Sequence, residues 1–344
     1  MADNHKNINP KFKRTPAPQY SLIDTIDGVK NRDPKILAHL ISKAESTIPE
    51  DQSFVLEVLE QIPDNGNSKI ITISGSPGVG KSTFINSFGH FLVEQDNSVA
   101  VLPVDPSSQV SKGSILGDKT RMEDLVRLEE AFIKPMSSSL SLGGVAPATL
   151  LASLICQKAG FDYILIETVG VGQSEFEARF MCDCFILLLQ PGGGDDLQGI
   201  KRGIMEMADI FVVNKADGAL LDKAKNSIQS YKAALKLLLP NSIGWKAKAY
   251  LYSSIKHDGQ SELDAALGEY FEYLMNQDRW TTLRKEQASY LFKKYAGDIM
   301  KQAIMQNNTL KTSYTSIIDA LQTGSISINK ALVEFKENIQ DELD

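Results

Sequence analysis

The sequence is poor in cysteine: three occur in 344 residues, Cys156, Cys182 and Cys184, too few for a disulfide framework. Cys182 and Cys184 flank Asp183 at the head of an apolar run, where alternation points both the same way. A metal reading needs further ligands, and His5, His39, His90 and His257 are scattered without ligand spacing. The three thiols therefore read as core residues of a reducing compartment. An excess of basic charge is also missing. Lys and Arg total 36 against 43 Asp and Glu, a net charge of -7, which argues against nucleic acid as a partner. No apolar stretch approaches the roughly 20 residues that span a bilayer, so no membrane association is expected. Met1–Gln19 carries Asp3, Lys6, Lys11, Lys13 and Arg14 with three prolines and no apolar h-region. It reads as a disordered tail, residues 1–19, on a cytoplasmic protein.

What is present is the texture of an ordinary globular chain, with 42% hydrophobic and 23% charged residues. Residues 20–65 carry a helical pattern, with Leu37, Leu40 and Ile41 on one face and Phe54–Leu59 as a second apolar block. Pro63–Asn67 then reads as a turn and a boundary. From about residue 66 to 275 the pattern changes to short apolar runs separated by helical ones. The runs are Ile70–Ser74, Val99–Asp105, Tyr163–Val169, Phe185–Gln190, Ile210–Asn214 and Ala249–Ser253. Runs that are apolar throughout predict parallel strands buried on both faces. The expected fold class is therefore α/β, a mostly parallel doubly wound sheet with N- and C-terminal helical extensions and ligands at the carboxyl ends of its strands. In residues 276–344 the strands stop. Phe292, Tyr295, Ile299 and Ala303 recur at helical spacing, and amphipathic stretches around Ile317–Leu321 and Leu332–Ile339 follow. Such a stripe must pack on the main domain or on a second subunit, so a homodimer is expected.

The strongest motif is Gly75-Ser76-Pro77-Gly78-Val79-Gly80-Lys81-Ser82, followed by Thr83. It satisfies G-x-x-x-x-G-K-[ST] between a predicted strand and a predicted helix, the context that a phosphate-binding loop of P-loop NTPases requires. Glycines let successive backbone N–H groups turn inward around a phosphate, reinforced by the helix N-terminus. Lys81 would reach the β- and γ-phosphates, and the Ser82 hydroxyl would ligate Mg²⁺. A second motif, Asn214-Lys215-Ala216-Asp217, closes a later strand. The Asp217 carboxylate can accept from guanine N1–H and its exocyclic amine. Adenine offers neither in that arrangement, so GTP is favoured over ATP. Asp105 and Glu167 end two strands between these motifs, where carboxylates can reach Mg²⁺ or its waters. Gly170–Gln173 directly follows Glu167. Gly143-Gly144 and Gly192–Asp196 supply further expected mobile loops.

These motifs, with Val104–Ser108, Gly113–Met122, Leu142–Ala146, Glu167–Glu175 and Leu197–Lys201, resemble the MeaB/ArgK GTPases, relatives of the human methylmalonic aciduria type A protein. The likeness covers about residues 21–268. It implies a homodimeric GTPase chaperone that assists an adenosylcobalamin-dependent acyl-CoA mutase, typically methylmalonyl-CoA mutase, by gating cofactor loading and protecting it from inactivation. Adenosylcobalamin enters only through that partner. By position, the resemblance makes Asp105 and Glu167 metal-side switch residues beside Ser82, and puts Asp118 in a neighbouring switch. Gln190–Lys201 resembles an additional switch in which Asp195 and Lys201 respond to the partner. Ser253-Ser254-Ile255 resembles a base-contacting turn. Lys81, Glu167, Asp105 and Lys201 are the expected catalytic set. Ser111-Lys112, Gly193, Asp196 and Ser254 depart from the family's usual residues, mildly at the nucleotide.

The implied reaction is in-line attack of water on the γ-phosphate, driven by positioning and charge neutralisation. Two alternatives come from other classes: an ATP-dependent kinase or ATPase linked to amino-acid transport, and a GTP-binding assembly factor that does not require hydrolysis. A nickel-delivering chaperone would carry a Cys/His cluster, which this sequence lacks.

Overall fold

The computed structural model describes residues 20–343 except 47, 65, 106–121, 138–146, 169–177, 193–201, 238 and 242. Three helices open it: α1 (Leu22–Lys30), α2 (Pro34–Ala44) and α3 (Pro49–Gln61). Each start is legible locally. Ser21 caps α1 by accepting from the Asp24 N–H, and Asp33 caps α2 ahead of Pro34 at its first turn. Leu37, Leu40, Ile41, Val55 and Val58 are fully buried, whereas Leu56 is exposed. The apolar block of α3 thus divides by helical period rather than burying whole.

Eight strands follow: β1 (Lys69–Gly75), β2 (Val99–Asp105), β3 (Ala131–Ile133), β4 (Met136–Ser137), β5 (Tyr163–Glu167), β6 (Cys184–Leu189), β7 (Ile210–Val213) and β8 (Lys248–Leu251). They run in the order β3-β2-β5-β1-β6-β7-β8, with β4 also against β2, and every pairing is parallel. All six strands expected from apolar runs are present. β3 and β4 were not anticipated, being two or three residues long and too short to show a period. Helices α4 (Lys81–Glu94), α5 (Glu123–Val126), α6 (Pro147–Lys158), α7 (Arg202–Met207), α8 (Leu221–Leu235) and α9 (Gln260–Met275) connect or follow the strands. β1 lies between β5 and β6, so successive crossovers leave it in opposite directions. Its carboxyl end is the switch point where a doubly wound sheet opens a crevice.

The sheet is buried on both faces: β6 and β7 are buried at every position. At the starting ends of the strands, three aspartates knit neighbours together. Asp162 accepts from Ser98 N at 2.8 Å, Asp183 from Ile70 N at 2.8 Å and Asp209 from Phe185 N at 2.8 Å. Each thereby gives an acceptor to a backbone N–H at the start of the neighbouring strand.

The chain divides into two compact units, one ending at Tyr270 and the other running from Phe271. In the second, α10 (Arg279–Gln306), α11 (Asn308–Gln322) and α12 (Ile328–Leu343) follow the end of α9. Leu310, Ile317 and Ala331 are buried, and Tyr314 meets Phe335 edge-on at 5.6 Å. No helix among the described residues is long and apolar enough to cross a membrane.

Candidate nucleotide site

The carboxyl end of β1 runs directly into the glycine-rich loop. Gly75 (φ 153°), Gly78 (φ 80°) and Gly80 (φ 93°) hold backbone angles that L side chains rarely adopt. Space also demands glycine. A Cβ on Gly75 would stand 2.6 Å from the Leu188 carbonyl, and one on Gly80 3.0 Å from Asn214 Nδ2. Val79 is the loop's one apolar anchor, fully buried, while Pro77 and Gly78 are exposed and Ser76 is half-buried. Gly80 caps α4, so the helix N-terminus and the loop's N–H groups share one concavity, an arrangement suited to an anion.

Lys81 is buried, and its ammonium donates to the Gly75 carbonyl at 2.9 Å, curling back over the loop. A buried cation here can neutralise a phosphate with little solvent screening. Ser82 Oγ donates to Glu167 Oε1 at 3.0 Å, bringing together a hydroxyl on α4 and a half-buried carboxylate at the end of β5. Both are hard oxygen donors, the set Mg²⁺ prefers. Thr168 backs this corner from β1's side, donating through Oγ1 to Ser74 Oγ at 3.0 Å. Asp105 closes β2, with Ser137 as its register partner. Its side chain lies outside the described residues, as do Asp118, Asp195, Lys201, Ser111-Lys112, Gly193, Asp196 and the loops 143–144 and 170–173. Thr83 faces solvent.

The second motif is bound to the first. Asn214, buried at the end of β7, donates through Nδ2 to the Val79 carbonyl at 3.0 Å. Lys215, at φ 59°, donates to the Gly78 carbonyl at 2.6 Å. These two side chains brace the phosphate loop from outside. Asp217 follows two residues on.

The turn after β8 completes the motif. Ser253 Oγ donates to Asp217 Oδ2, and Ser254 Oγ donates to Asn214 Oδ1 at 2.8 Å. Ile255 is exposed. Gly259, at φ 85°, closes the turn where a Cβ would be 2.3 Å from the Leu251 carbonyl. The structure therefore gathers Gly75–Thr83, Glu167, Asn214–Asp217 and Ser253–Ile255 at one end of the sheet.

Sequence reasoning missed a node beneath this turn. Ser87 Oγ, on α4, lies 3.0 Å from Tyr252 OH and 3.1 Å from His257 Nδ1, and Gln260 Nε2 donates to the Ser87 carbonyl at 3.1 Å. The node ties the helix that starts at the phosphate loop to the turn that holds Ser253. A serine on a helix face carries no signal of such a role. Asn86 was missed for the same reason: it bonds Asp124 at 3.0 Å and the Leu125 N–H at 3.1 Å.

The cysteines lie away from this chemistry. All three are fully buried, and burial pushes the Cys156 thiol up to about 12 and the Cys182 thiol up to about 11. Such thiols are neither nucleophiles nor ready ligands. Among the described residues no cluster of His, Cys, Asp and Glu could hold a metal by itself.

Comparison with known proteins places the chain in a family. The family profile described as methylmalonyl Co-A mutase-associated GTPase MeaB matches residues 37–309. The chain is 37% identical to the GTPase ArgK of Escherichia coli (strain K12) over 321 residues, covering 93% of this chain and 97% of that protein. It is 39% identical over 306 residues to the mitochondrial methylmalonic aciduria type A homolog of Mus musculus, covering 81% and 74%. A solved structure described as a LAO/AO transport system kinase superposes with a TM-score of 0.71 at 31% identity, covering 93% of this chain and 97% of the other.

Proposed function

The chain belongs to the MeaB family of P-loop GTPases, and we propose that its GTP hydrolysis drives a chaperone switch for an adenosylcobalamin-dependent acyl-CoA mutase. One observation carries the nucleotide half of this reading. Asn214 and Lys215 grip the phosphate loop's carbonyls while Ser253 orients Asp217. Phosphate and base recognition are thereby one braced unit. With GTP seated, the loop N–H groups and Lys81 hold the phosphates. Asp217 accepts from guanine, and Ser253 fixes which carboxylate lone pairs face the base. ATP would leave the Asp217 carboxylate unpaired, a penalty of about 1–3 kcal/mol or more for a charged acceptor.

Ser82 and Glu167, with Asp105, would hold Mg²⁺, which when bound supplies charge neutralisation at the phosphates. The Ser82 hydroxyl would offer Mg²⁺ an oxygen lone pair while its proton goes on donating to Glu167. None of the described side chains is placed as a water activator, so turnover is slow until a partner completes the site. The additional switch at residues 190–201, with Lys201 and Asp195, is the segment on which the mutase acts, and the protein works in the cytoplasm. A homodimer is supported by the second unit's apolar surface: Phe292 is 73% and Ile299 60% exposed, one face of α10 two turns apart.

The test is GTP hydrolysis with and without an adenosylcobalamin-dependent acyl-CoA mutase from the same source. Stimulation of ten-fold or more is expected, abolished by Lys201→Ala with basal turnover retained. An unchanged rate with the mutase present would remove the partner from this reading and leave the GTPase standing.

A further inference from the structure

Away from the nucleotide site, one groove of this acidic chain is rich in lysine. β8 is the sheet's edge strand, bonded to β7 on one side only. Along it, between Lys246–Tyr250 and α8, runs a cavity of about 400 Å³ whose walls carry Lys232, Lys236, Lys246 and Lys248. Lys232 on α8 and Lys236 at its C-cap are spaced i, i+4, and Lys246 and Lys248 are spaced i, i+2 on the strand side. Two rails of positive charge therefore face one another across an apolar floor that includes Leu235 and Ala249. Lys248 pairs with Glu269, but no ion pair among the described residues uses Lys232, Lys236 or Lys246. Three like charges left close together raise one another's energy, a cost that an acidic partner removes.

The groove does not end there. A second cavity of about 380 Å³ shares Lys232, Ala249 and Tyr250 with the first and continues to Ser253, Asp258 and Glu262. The path thus runs from a basic end to the turn that orients Asp217. Beyond the basic end, Leu237 and Leu239 are almost fully exposed.

We propose that this groove is a docking site for an extended, acidic segment of a partner protein, added as a strand along the β8 edge. The edge supplies backbone donors and acceptors, the lysine rails select carboxylates, and the apolar floor takes alternate side chains. Polarity fixes the segment's composition. Acidic residues lie over Lys232, Lys236 and Lys246, and neutral ones lie towards the far end, where Asp258 and Glu262 offset Lys225. A nucleic acid fits less well, because the net charge of -7 leaves little to attract it outside the groove.

The experiment is fluorescence anisotropy on the full chain with GDP bound. The probe is a fluorescein-labelled ten-residue peptide, alternating Glu and Val over its first six positions and Thr and Val over its last four. Micromolar binding is expected. A Lys232→Glu/Lys236→Glu/Lys246→Glu variant should weaken it at least ten-fold, with basal GTP hydrolysis and circular dichroism unchanged. N-methylation of alternate peptide nitrogens should weaken it at least five-fold in one of the two registers. Equal binding to the triple variant would overturn the site. Displacement by inorganic polyphosphate together with indifference to N-methylation in both registers would overturn strand addition, leaving a generic anion surface.

Discussion

Both ends of the same sheet carry carboxylates, and the two sets are held differently. At the strand starts, Asp162, Asp183 and Asp209 accept backbone N–H groups from neighbouring chain segments, and Asp183 and Asp209 are fully buried. At the strand ends, Glu167 accepts from the hydroxyl of Ser82, and Asp217 from that of Ser253. A backbone donor is covalently fixed, so its acceptor is committed to the fold. A hydroxyl rotates, so a carboxylate held by serine can trade that proton for a cation or a base at the cost of about one neutral-to-charged hydrogen bond. Asp162 also accepts from the Ser98 hydroxyl at 2.6 Å, so the strand-start acids are set apart by the backbone N–H that each accepts rather than by the lack of a serine partner.

The largest break at the functional end is Lys81→Ala. It removes the buried cation beside the phosphate loop while every strand-start aspartate stays in place. We expect kcat/KM for GTP to fall roughly 10⁴-fold, about 5.4 kcal/mol, since neutralising transferring-phosphoryl charge contributes on that scale. Steady-state phosphate release measures it. A fall below ten-fold would show that Lys81 is merely a loop-closing residue bonded to Gly75.

At the structural end the matching break is Asp209→Ala. Asp209 is the most heavily bonded of the three. Besides Phe185 N, it accepts from Asn241 Nδ2 at 2.7 Å and lies 3.4 Å from the Arg179 guanidinium. Burial raises its carboxyl above the usual range, opposed by Arg179 and by these hydrogen bonds. Truncation strands a mostly buried arginine, so stability should drop by about 3–5 kcal/mol. Denaturant unfolding reads this, and GTP affinity of the still-folded fraction should be unchanged. Weakened nucleotide binding there would dissolve the distinction between the two ends.

Asp217→Ala comes next. Charge-assisted bonds to guanine contribute about 1.5–3 kcal/mol, so GTP should bind roughly ten- to a hundred-fold more weakly, while ATP, no longer stranding a carboxylate, should bind no more weakly and by up to a similar factor more tightly. Calorimetric titration with both nucleotides tests it. Parallel losses for GTP and ATP would mean that Asp217 holds the turn rather than reads the base.

How much of this was legible beforehand follows the same division. The phosphate loop, Asn214–Asp217 and the strand-ending Glu167 announce themselves because a ligand imposes fixed residue types at fixed spacing. Six strands announce themselves because burial on both faces leaves long apolar runs. β3 and β4 do not, since three residues and two carry no period. Asp183 sits between Cys182 and Cys184 and draws the eye only as a spacer, because an aspartate before a strand looks like any turn residue. The bracing role of Lys215 was equally hidden: its ammonium closes on the Gly78 carbonyl 137 positions away in sequence. Long-range bonds between a side chain and a backbone carbonyl leave no local trace.

Ser87→Ala gives the smallest expected effect and the sharpest discrimination. Ser87 belongs to neither end. It contacts no nucleotide-facing atom, yet joins α4 to Tyr252, His257 and Gln260 beneath the base-reading turn. Burial raises the Tyr252 hydroxyl's pKa, and it shares with Ser87 Oγ a hydrogen bond that either group can donate. Alanine deletes that partner and leaves a buried hydroxyl to find another, at about 1–2 kcal/mol. If the node only stabilises the fold, that cost appears in denaturant unfolding and the affinities for GTP and ATP stay as they were. If it positions the turn, part of the cost appears instead as a roughly three- to ten-fold loss in GTP affinity, because Ser253 no longer presents Asp217 in one orientation. ATP affinity, which does not use Asp217, is the internal control. A Ser87→Thr variant keeps the hydroxyl and should recover most of the GTP affinity, which a purely steric origin would not allow.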